Sequence, residues 1–260
     1  MALGEFRPGG DQRLLQRSRL RTRLGVQNAD DDGRHARNGT PGGGGLGRAR
    51  AYVGLGANIG DAAGTLAAAV HTLAALPDVR LAGVSRLYAT APVGVVDQPE
   101  FRNAVVALDV PAGPDPATGA LALLVALKAL ERAFGRRAGP RWGPRVLDLD
   151  LLVFGRHRVR VERPPEARSD DDARGADDAR GQDSALPAVQ WLTVPHASAR
   201  ERLFVLAPLA DVAPGLRPPG WDETVATARR RAEMREGAAA VRPIAEWDAA
   251  SGAWSALPGH

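Results

Sequence analysis

Two aspartates stand in a short apolar stretch, Leu147-Asp148-Leu149-Asp150-Leu151. On a β-strand successive side chains point to opposite faces, so Asp148 and Asp150 would share one face, about 7 Å apart at Cα. Paired carboxylates on a rigid strand suit Mg²⁺, which proteins commonly hold with one or two carboxylates and the phosphates of a substrate. Paired metals of this kind serve phosphoryl transfer. The alternative for an isolated Asp-x-Asp is an edge strand with one solvated face.

The residues just before this strand favour the phosphate interpretation. Arg145 follows a Gly-Pro turn, and the segment from Arg136 to Pro144 is basic and rich in Gly and Pro. The planar guanidinium group of arginine matches phosphate oxygens, while metal ions neutralise the remaining charge. The sequence therefore predicts a polyphosphate site at the start of this strand.

Composition limits the class of protein. The chain has 260 residues, 44% of them hydrophobic, which is enough for one full core, so we expect one domain with appendages. Cysteine is absent, which excludes disulfides and thiolate metal sites and fits a reducing cytoplasm. No apolar run approaches the roughly 18–20 residues of a membrane span, and the N-terminus lacks the apolar core of a secretory signal. We predict a cytoplasmic protein without a membrane partner.

The chain divides into segments of different composition. Residues 1–50 contain ten arginines against five acidic residues, and we predict a disordered Arg/Gly-rich extension there. Residues 51–217 are predicted to form the folded domain, interrupted by a disordered acidic insert at 164–188. Residues 218–260 are predicted to be a partly helical C-terminal extension, with the part that holds Trp247 and Trp254 left unassigned.

Hydrophobic periodicity predicts the elements that position the aspartates. Strands are expected at residues 52–56, 79–88, 101–110 and around Asp148 and Asp150, with one helix after Asp61 and a second from Pro116 to near Gly135. The order βαββαβ, with antiparallel and parallel neighbours, is typical of a ferredoxin-like split βαβ arrangement. We therefore predict an α+β fold with a ferredoxin-like βαββαβ core, an added hairpin and a C-terminal helical segment.

Five ordered blocks, within about residues 50–217, resemble the 6-hydroxymethyl-7,8-dihydropterin pyrophosphokinase family of folate biosynthesis, and the resemblance implies the same core. The blocks are Ala51-Tyr52-Val53-Gly54-Leu55-Gly56-Ala57-Asn58-Ile59-Gly60-Asp61, residues 88–94 with 97–103, Arg141-Trp142-Gly143-Pro144-Arg145 with Leu147-Asp148-Leu149-Asp150, Leu192-Thr193-Val194-Pro195-His196, and residues 202–209. Ala91 and Ala197 depart from the family, where proline and tyrosine respectively are found.

The resemblance implies transfer of pyrophosphate from ATP to the hydroxymethyl group of the pterin, which gives the pterin diphosphate and AMP in tetrahydrofolate biosynthesis. It implies two Mg²⁺ ions on Asp148 and Asp150, which act in catalysis together with Arg136 and Arg145. The implied ATP-binding residues are Arg136, Arg137, Arg141, Arg145, Thr193, His196 and Arg202. The implied pterin-binding residues are Thr90, Val93, Phe101, Asn103, Trp142 and Phe204, with the two phenylalanines stacking on the ring.

Other interpretations remain open from the residues alone. Phe101 and Phe204 would ordinarily be core residues, and His196 a structural histidine. The run Gly54-x-Gly56-x-Asn58-x-Gly60 lacks the Lys-Ser/Thr of a P-loop, so we predict a tight strand-to-helix turn that lines the pterin end.

Two alternative functions also remain. A different metal-dependent nucleotidyl- or phosphotransferase would use the same Asp-x-Asp. An RNA-binding module would use the same sheet but needs exposed aromatics and a basic face. We expect a monomer whose partners are small molecules and not nucleic acid.

Overall fold

The computed structural model describes residues 27–28, 47–92, 97–136, 143–162 and 190–257. Four of the predicted site residues lie outside these ranges, namely Val93, Arg137, Arg141 and Trp142. The predicted acidic insert at 164–188 and most of the predicted N-terminal extension also lie outside them.

The described residues form ten strands and four α-helices. The strands are β1 (Gln27–Asn28), β2 (Arg48–Ala57), β3 (Arg80–Val84), β4 (Leu87–Thr90), β5 (Phe101–Pro111), β6 (Asp148–Phe154), β7 (Val159–Glu162), β8 (Gln190–Val194), β9 (Val241–Asp248) and β10 (Ala253–Ala256). The helices are α1 (Ala62–Ala74), α2 (Pro116–Ala133), α3 (Leu203–Val212) and α4 (Val225–Glu236).

The main sheet has the strand order β10-β9-β4-β5-β2-β6, and β3 also pairs with β5. A smaller sheet has the order β1-β7-β8, in which β7 and β8 form the predicted hairpin. Every described pairing is antiparallel. The expectation of parallel neighbours is therefore wrong. Each helical crossover joins strands that are separated by an intervening strand of opposite direction.

Helices cover both faces of the main sheet. On β2, Val53 and Leu55 face one buried cluster, into which α1 and α2 pack. Tyr52 faces a second cluster, formed mainly with α3 and α4. This alternation follows from the two-residue period of a strand. It gives the sheet two buried faces, one of which carries the site described below.

The ends of the helices follow from local capping. The Asp61 side chain accepts a hydrogen bond of 3.0 Å from the Gly64 N–H, which begins α1 as predicted. Asp115 caps α2 by accepting from the N–H groups of Ala117 and Thr118, and Pro116 occupies the first turn. No helix in the described ranges is long and apolar enough to cross a membrane.

The single strand predicted over residues 79–88 is two strands. The Ser85 hydroxyl accepts a hydrogen bond of 2.8 Å from the Val105 N–H, so a side chain replaces a backbone carbonyl in the ladder. Arg86 then turns towards α3, where its guanidinium group donates to both oxygens of Asp211. The strand breaks because these two side chains interrupt the regular pairing.

The C-terminal segment is more than the partly helical extension that the sequence predicts. Its helix is α4, but residues 241–256 add β9 and β10 to the main sheet, and β9 pairs with β4. The rings of Trp247 and Trp254 meet edge to face with centroids 4.7 Å apart. Trp254 Nε1–H also donates to the Ser85 carbonyl at 2.9 Å. At the other end, β2 begins at Arg48, slightly before the expected boundary at residue 51.

Candidate active site

Asp148 and Asp150 lie on one face of β6, as the alternation predicts. Their side chains are 33% and 46% exposed. Leu147 and Leu149, on the other face, are fully buried in the core with α1 and α2. The buried leucines fix the register of the strand, because a shift by one residue would bury the carboxylates. The core thus holds the two aspartates on the opposite face.

Two glycines of β2 lie beside the aspartates. In the pairing of β2 with β6, Gly56 is opposite Asp148 and Gly54 is opposite Asp150. On its other side Gly56 pairs with Asn103 of β5. A Cβ atom at Gly56 would lie 3.4 Å from Asn103 Oδ1 and 3.9 Å from Asp148 Cβ. The absent side chain therefore leaves room between the carboxylates and Asn103. Gly54 and Gly56 lie in the strand predicted at residues 52–56, and the predicted strand-to-helix turn follows between Ala57 and Ala62.

Two arginines approach Asp148. Arg136, just after α2, donates a hydrogen bond of 2.5 Å to Asp148 Oδ1. The guanidinium group of Arg145 lies 3.8 Å from the same oxygen. Burial alone would lower the pKa of Arg136, but the carboxylates of Asp148 and Glu131 outweigh it, so the pKa is raised above its ordinary value. The structure thus brings together both predicted catalytic arginines and the aspartates.

The site includes a buried acid and a lysine that the sequence analysis did not predict. Glu131 of α2 is only 2% exposed. It accepts hydrogen bonds from Lys128 Nζ at 2.7 Å and from the Leu149 N–H at 2.8 Å, and it lies 2.5 Å from the guanidinium group of Arg136. Lys128 Nζ also lies 3.9 Å from Asp150 Oδ1. Glu131 therefore links the helix to the backbone between the two aspartates.

A signal for Glu131 was present in the sequence. Leu123 and Leu127 repeat along the buried side of α2, and Glu131 continues that spacing. An acid at a core position of a helix requires a buried partner, because an unpaired buried charge is costly. Lys128 is the single lysine of the chain, but its position alone gave no indication of the aspartates.

Three of the predicted ATP-binding residues, Thr193, His196 and Arg202, come after β6 in the chain. The His196 N–H donates to the Leu152 carbonyl at 2.8 Å, which fixes the histidine beside β6. Burial lowers the pKa of His196, and Arg202 adds to this, whereas Asp150 acts in the opposite direction. The lowered pKa favours the neutral ring. Thr193 lies on β8, and the Arg202 guanidinium group lies 5.7 Å from the centre of the Phe204 ring.

Three of the predicted pterin residues, Thr90, Phe101 and Asn103, lie where β4 pairs with β5, and Phe204 lies on α3. Asn103 Nδ2 donates to Thr90 Oγ1 at 2.8 Å, and both side chains are buried. Phe101 pairs with Thr90 across the two strands. Phe101 and Phe204 are both half-buried, unlike Phe154, which is fully buried in the core. Each ring keeps a partly exposed surface, and Phe204 also packs against the second buried cluster.

The donor set fits Mg²⁺ held jointly with phosphate. The described residues contain no cluster of three or more His, Cys, Asp or Glu side chains that could hold a metal alone. Two carboxylates with the remaining oxygens supplied by substrate are what Mg²⁺ usually takes. Desolvation by the surrounding protein, and then repulsion from Asp148, raises the pKa of Asp150. A cation at this pair would relieve that repulsion.

Comparison with known families agrees with this geometry. The sequence model of the family described as 7,8-dihydro-6-hydroxymethylpterin-pyrophosphokinase (HPPK) matches residues 52–214. The chain belongs to this family. The matched range contains the predicted site residues and ends before α4, β9 and β10.

Curated relatives carry the same description. A 2-amino-4-hydroxy-6-hydroxymethyldihydropteridine pyrophosphokinase of Methylorubrum extorquens is 40% identical over 167 residues, which cover 64% of this chain and 84% of the relative. The enzyme of the same name from Pseudomonas aeruginosa is 39% identical over 170 residues, covering 65% and 84%.

A solved structure shares the fold at low identity. The Plasmodium falciparum HPPK-DHPS wild type with pteroate has a TM-score of 0.56 at 15% identity. The match covers 84% of this chain and 49% of that chain, so the present chain spans about half the length of the solved protein. This likeness concerns the α+β fold alone.

Proposed function

We propose that this chain transfers the pyrophosphoryl group of ATP to the hydroxymethyl group of 6-hydroxymethyl-7,8-dihydropterin. The products are the pterin diphosphate and AMP, and the reaction belongs to tetrahydrofolate biosynthesis. The observation that carries the proposal is one site that combines the two aspartates of β6, two arginines and the Asn103–Thr90 pair. Membership of the HPPK family supports the same reaction.

Asp148 and Asp150 would hold two Mg²⁺ ions together with the phosphates of ATP. Bound there, the ions neutralise phosphate charge and favour ionisation of the attacking hydroxyl. Arg136 and Arg145 would stabilise charge on the transferring group, since phosphoryl transfer depends mainly on positioning and electrostatics. In this structure Arg136 donates a hydrogen bond to Asp148, so that bond must break before Arg136 can contact a phosphate.

His196 and Arg202 would contact the phosphates of the nucleotide, with Thr193 beside them. In its neutral form, which the lowered pKa favours, the His196 ring offers one N–H donor without adding a charge. Arg137 and Arg141 are proposed to share the phosphate contacts. They lie outside the described residues.

The pterin would be held on the side of β4 and β5. Asn103 offers both a donor and an acceptor to the polar edge of the ring, and Thr90 fixes its amide. Phe101 and Phe204 would stack on the two ring faces. Val93 and Trp142 are proposed to complete the pocket, Trp142 by packing in the closed loop. They too lie outside the described residues.

The fold around this site supports a ferredoxin-like core. The strand order β6-β2-β5-β4, with α1 and α2 as crossovers, is the order expected of a split βαβ arrangement. We assign catalysis to residues 51–217, with 1–50 and 164–188 as appendages. We also expect a monomer that works in the cytoplasm, an expectation that the absence of cysteine supports.

A direct assay tests the reaction. Purified protein is incubated with ATP, Mg²⁺ and 6-hydroxymethyl-7,8-dihydropterin, and nucleotides are separated after quenching. The proposal requires one AMP for each pterin diphosphate, and no AMP when the pterin is omitted. Formation of ADP, or hydrolysis that ignores the pterin, would assign the chain to a different phosphotransferase class.

A further inference from the structure

Asn58, in the turn after β2, joins two separate segments. It is 2% exposed. Its Oδ1 accepts a hydrogen bond of 2.7 Å from the Arg145 N–H, and its own N–H donates to the Arg145 carbonyl at 2.9 Å. On the other side, Nδ2 donates to Gln98 Oε1 at 3.0 Å and to the Pro99 carbonyl at 3.1 Å. One buried side chain therefore binds both segments at once.

The two segments serve different halves of the site. Arg145 precedes β6, and its guanidinium group lies 3.8 Å from Asp148. Residues 97–100 lead directly into Phe101 at the start of β5. An amide can make this connection because it presents an acceptor and a donor group in one plane. Neither an aliphatic side chain nor a carboxylate offers both.

A buried asparagine often does no more than satisfy loop backbone groups. That role would affect stability without a specific effect on Arg145. Here, however, two of the four hydrogen bonds go to the backbone of Arg145 itself, and the other two go to the segment that leads into the pterin side. A change at Asn58 would therefore displace Arg145 and the 97–100 segment together.

We propose that Asn58 is a positioning residue that couples the orientation of Arg145 to the pterin-side segment 97–100. The inference rests on the proposed function. Arg145 is then correctly aimed only when residues 97–100 are in place, so order on the pterin side is transmitted to the phosphate side.

A double-mutant cycle on kcat tests the coupling. Asn58→Ala is expected to lower kcat by about 10–100-fold, because small misplacement of a catalytic group has effects of this size. In an Arg145→Ala background the same change is expected to lower kcat by less than about threefold, since the residue through which Asn58 acts is gone. Equal losses in both backgrounds would show that Asn58 only supports the fold.

Two further variants test the contact with residues 97–100 and provide a control. Gln98→Ala should raise the KM for pterin about 3–10-fold and should also lower kcat, though by less than Asn58→Ala does, because the hydrogen bond from Asn58 to the Pro99 carbonyl still holds the segment. Ser85→Ala is the control. It removes a buried hydrogen bond with Val105 and should lower the melting temperature without altering either constant. A kcat loss in Ser85→Ala as large as that of Asn58→Ala would overturn the proposal.

Hydrogen exchange tests the hydrogen bond between Asn58 and the Arg145 N–H without any need for turnover. In the substrate-free protein, the Arg145 amide should exchange at least about tenfold faster in Asn58→Ala than in the wild type, since its acceptor is lost. An unchanged exchange rate would show that Asn58 does not hold the Arg145 backbone. If wild type makes no AMP, the proposed function fails while this measurement still decides the role of Asn58.

Should Asn58→Ala not fold, Asn58→Asp retains the acceptor for Arg145. Because a carboxylate cannot donate to Gln98 or Pro99, this variant should raise the pterin KM and lower kcat, while the Arg145 amide exchanges about as slowly as in the wild type. An unchanged kcat would contradict the coupling.

Discussion

The backbone N–H of Leu149, between the two aspartates of β6, donates a hydrogen bond of 2.8 Å to the buried carboxylate of Glu131. The same carboxylate binds Lys128 and lies 2.5 Å from Arg136. The Glu131 carboxylate thus connects helix α2 to strand β6 between the two aspartates. The spacing of Asp148 and Asp150 depends on this connection as well as on the buried leucines.

Glu131→Gln is expected to lower the free energy of unfolding by about 3 kcal/mol, because it leaves two cationic partners beside a neutral group in a buried setting. Denaturant titration measures this loss. Glu233→Gln, in a half-buried i,i+4 pair with Arg229 on α4, is the matched control and should cost less than about 1 kcal/mol. Similar losses of unfolding free energy for the two variants would show that Glu131 stabilises the fold no more than an ordinary helix ion pair does.

Asp150→Asn is expected to stabilise the metal-free protein at pH 7 and to abolish turnover. Because desolvation and Asp148 raise the pKa of Asp150, its ionisation lowers stability as pH rises through that pKa, and the penalty persists at neutral pH. Thermal denaturation in EDTA measures the gain. Added Mg²⁺ should raise the melting temperature of the wild type only. Full activity of this variant would contradict the metal assignment.

Asp109→Asn provides a control of opposite sign for the same measurement. The hydrogen bond from Arg50 lowers the pKa of Asp109, so its ionised form stabilises the fold above the unfolded-state pKa, and this stability is lost as pH falls through the folded-state pKa. Asp109→Asn should therefore lower the melting temperature at pH 7 and leave turnover intact. A rise in melting temperature would contradict the claim that ionised Asp109 stabilises the fold.

Arg145→Ala is expected to lower kcat by two or more orders of magnitude, on the order of a lost electrostatic contact in the transition state. Binding of a non-hydrolysable ATP analogue should weaken much less, because the other proposed ATP-binding arginines would still contact the phosphates. Steady-state kinetics and calorimetry provide the two values. A loss seen only in nucleotide affinity would assign Arg145 to binding.

Phe101→Ala and Phe204→Ala are each expected to weaken pterin binding by about 1–3 kcal/mol, the range for a base stacked on an aromatic ring. Affinity for an ATP analogue should hardly change. Calorimetric titration with each ligand separately measures both effects. Phe134→Ala, at a partly buried ring that packs on the core, is the control and should lower stability without selectivity between ligands. Equal losses for both ligands at Phe101 or Phe204 would favour the core interpretation.

Trp254→Ala is expected to lower the free energy of unfolding by about 2 kcal/mol, roughly half the cost of removing a fully buried aromatic ring. The variant loses the ring contact with Trp247 and the hydrogen bond to Ser85. Trp191→Ala, at a ring that is 40% exposed, should have a smaller effect in the same denaturant titration. A negligible loss at Trp254 would mean that β10 is dispensable to the sheet.

The sequence was sufficient to predict the face shared by Asp148 and Asp150, because strand periodicity is a local property. The cap of α1 at Asp61 was predictable for the same reason. Glu131 could not be assigned to the site from its spacing alone, because its partners Leu149 and Arg136 come from β6 and from the residues after α2 and meet it only in the fold. The pairing of β9 with β4 was also missed, since register between distant strands depends on tertiary packing. The break at Ser85 arises from a side chain that replaces a backbone acceptor.

Transfer of phosphorus from labelled ATP tests the central claim most directly. ATP carrying separate labels on the β- and γ-phosphorus atoms is incubated with the protein, Mg²⁺ and 6-hydroxymethyl-7,8-dihydropterin, and the pterin product is isolated. Transfer of an intact pyrophosphoryl group predicts both labels in equal amount in the pterin product and neither in AMP. A pterin product that carries the γ label alone, with the β label left in ADP, would contradict the account.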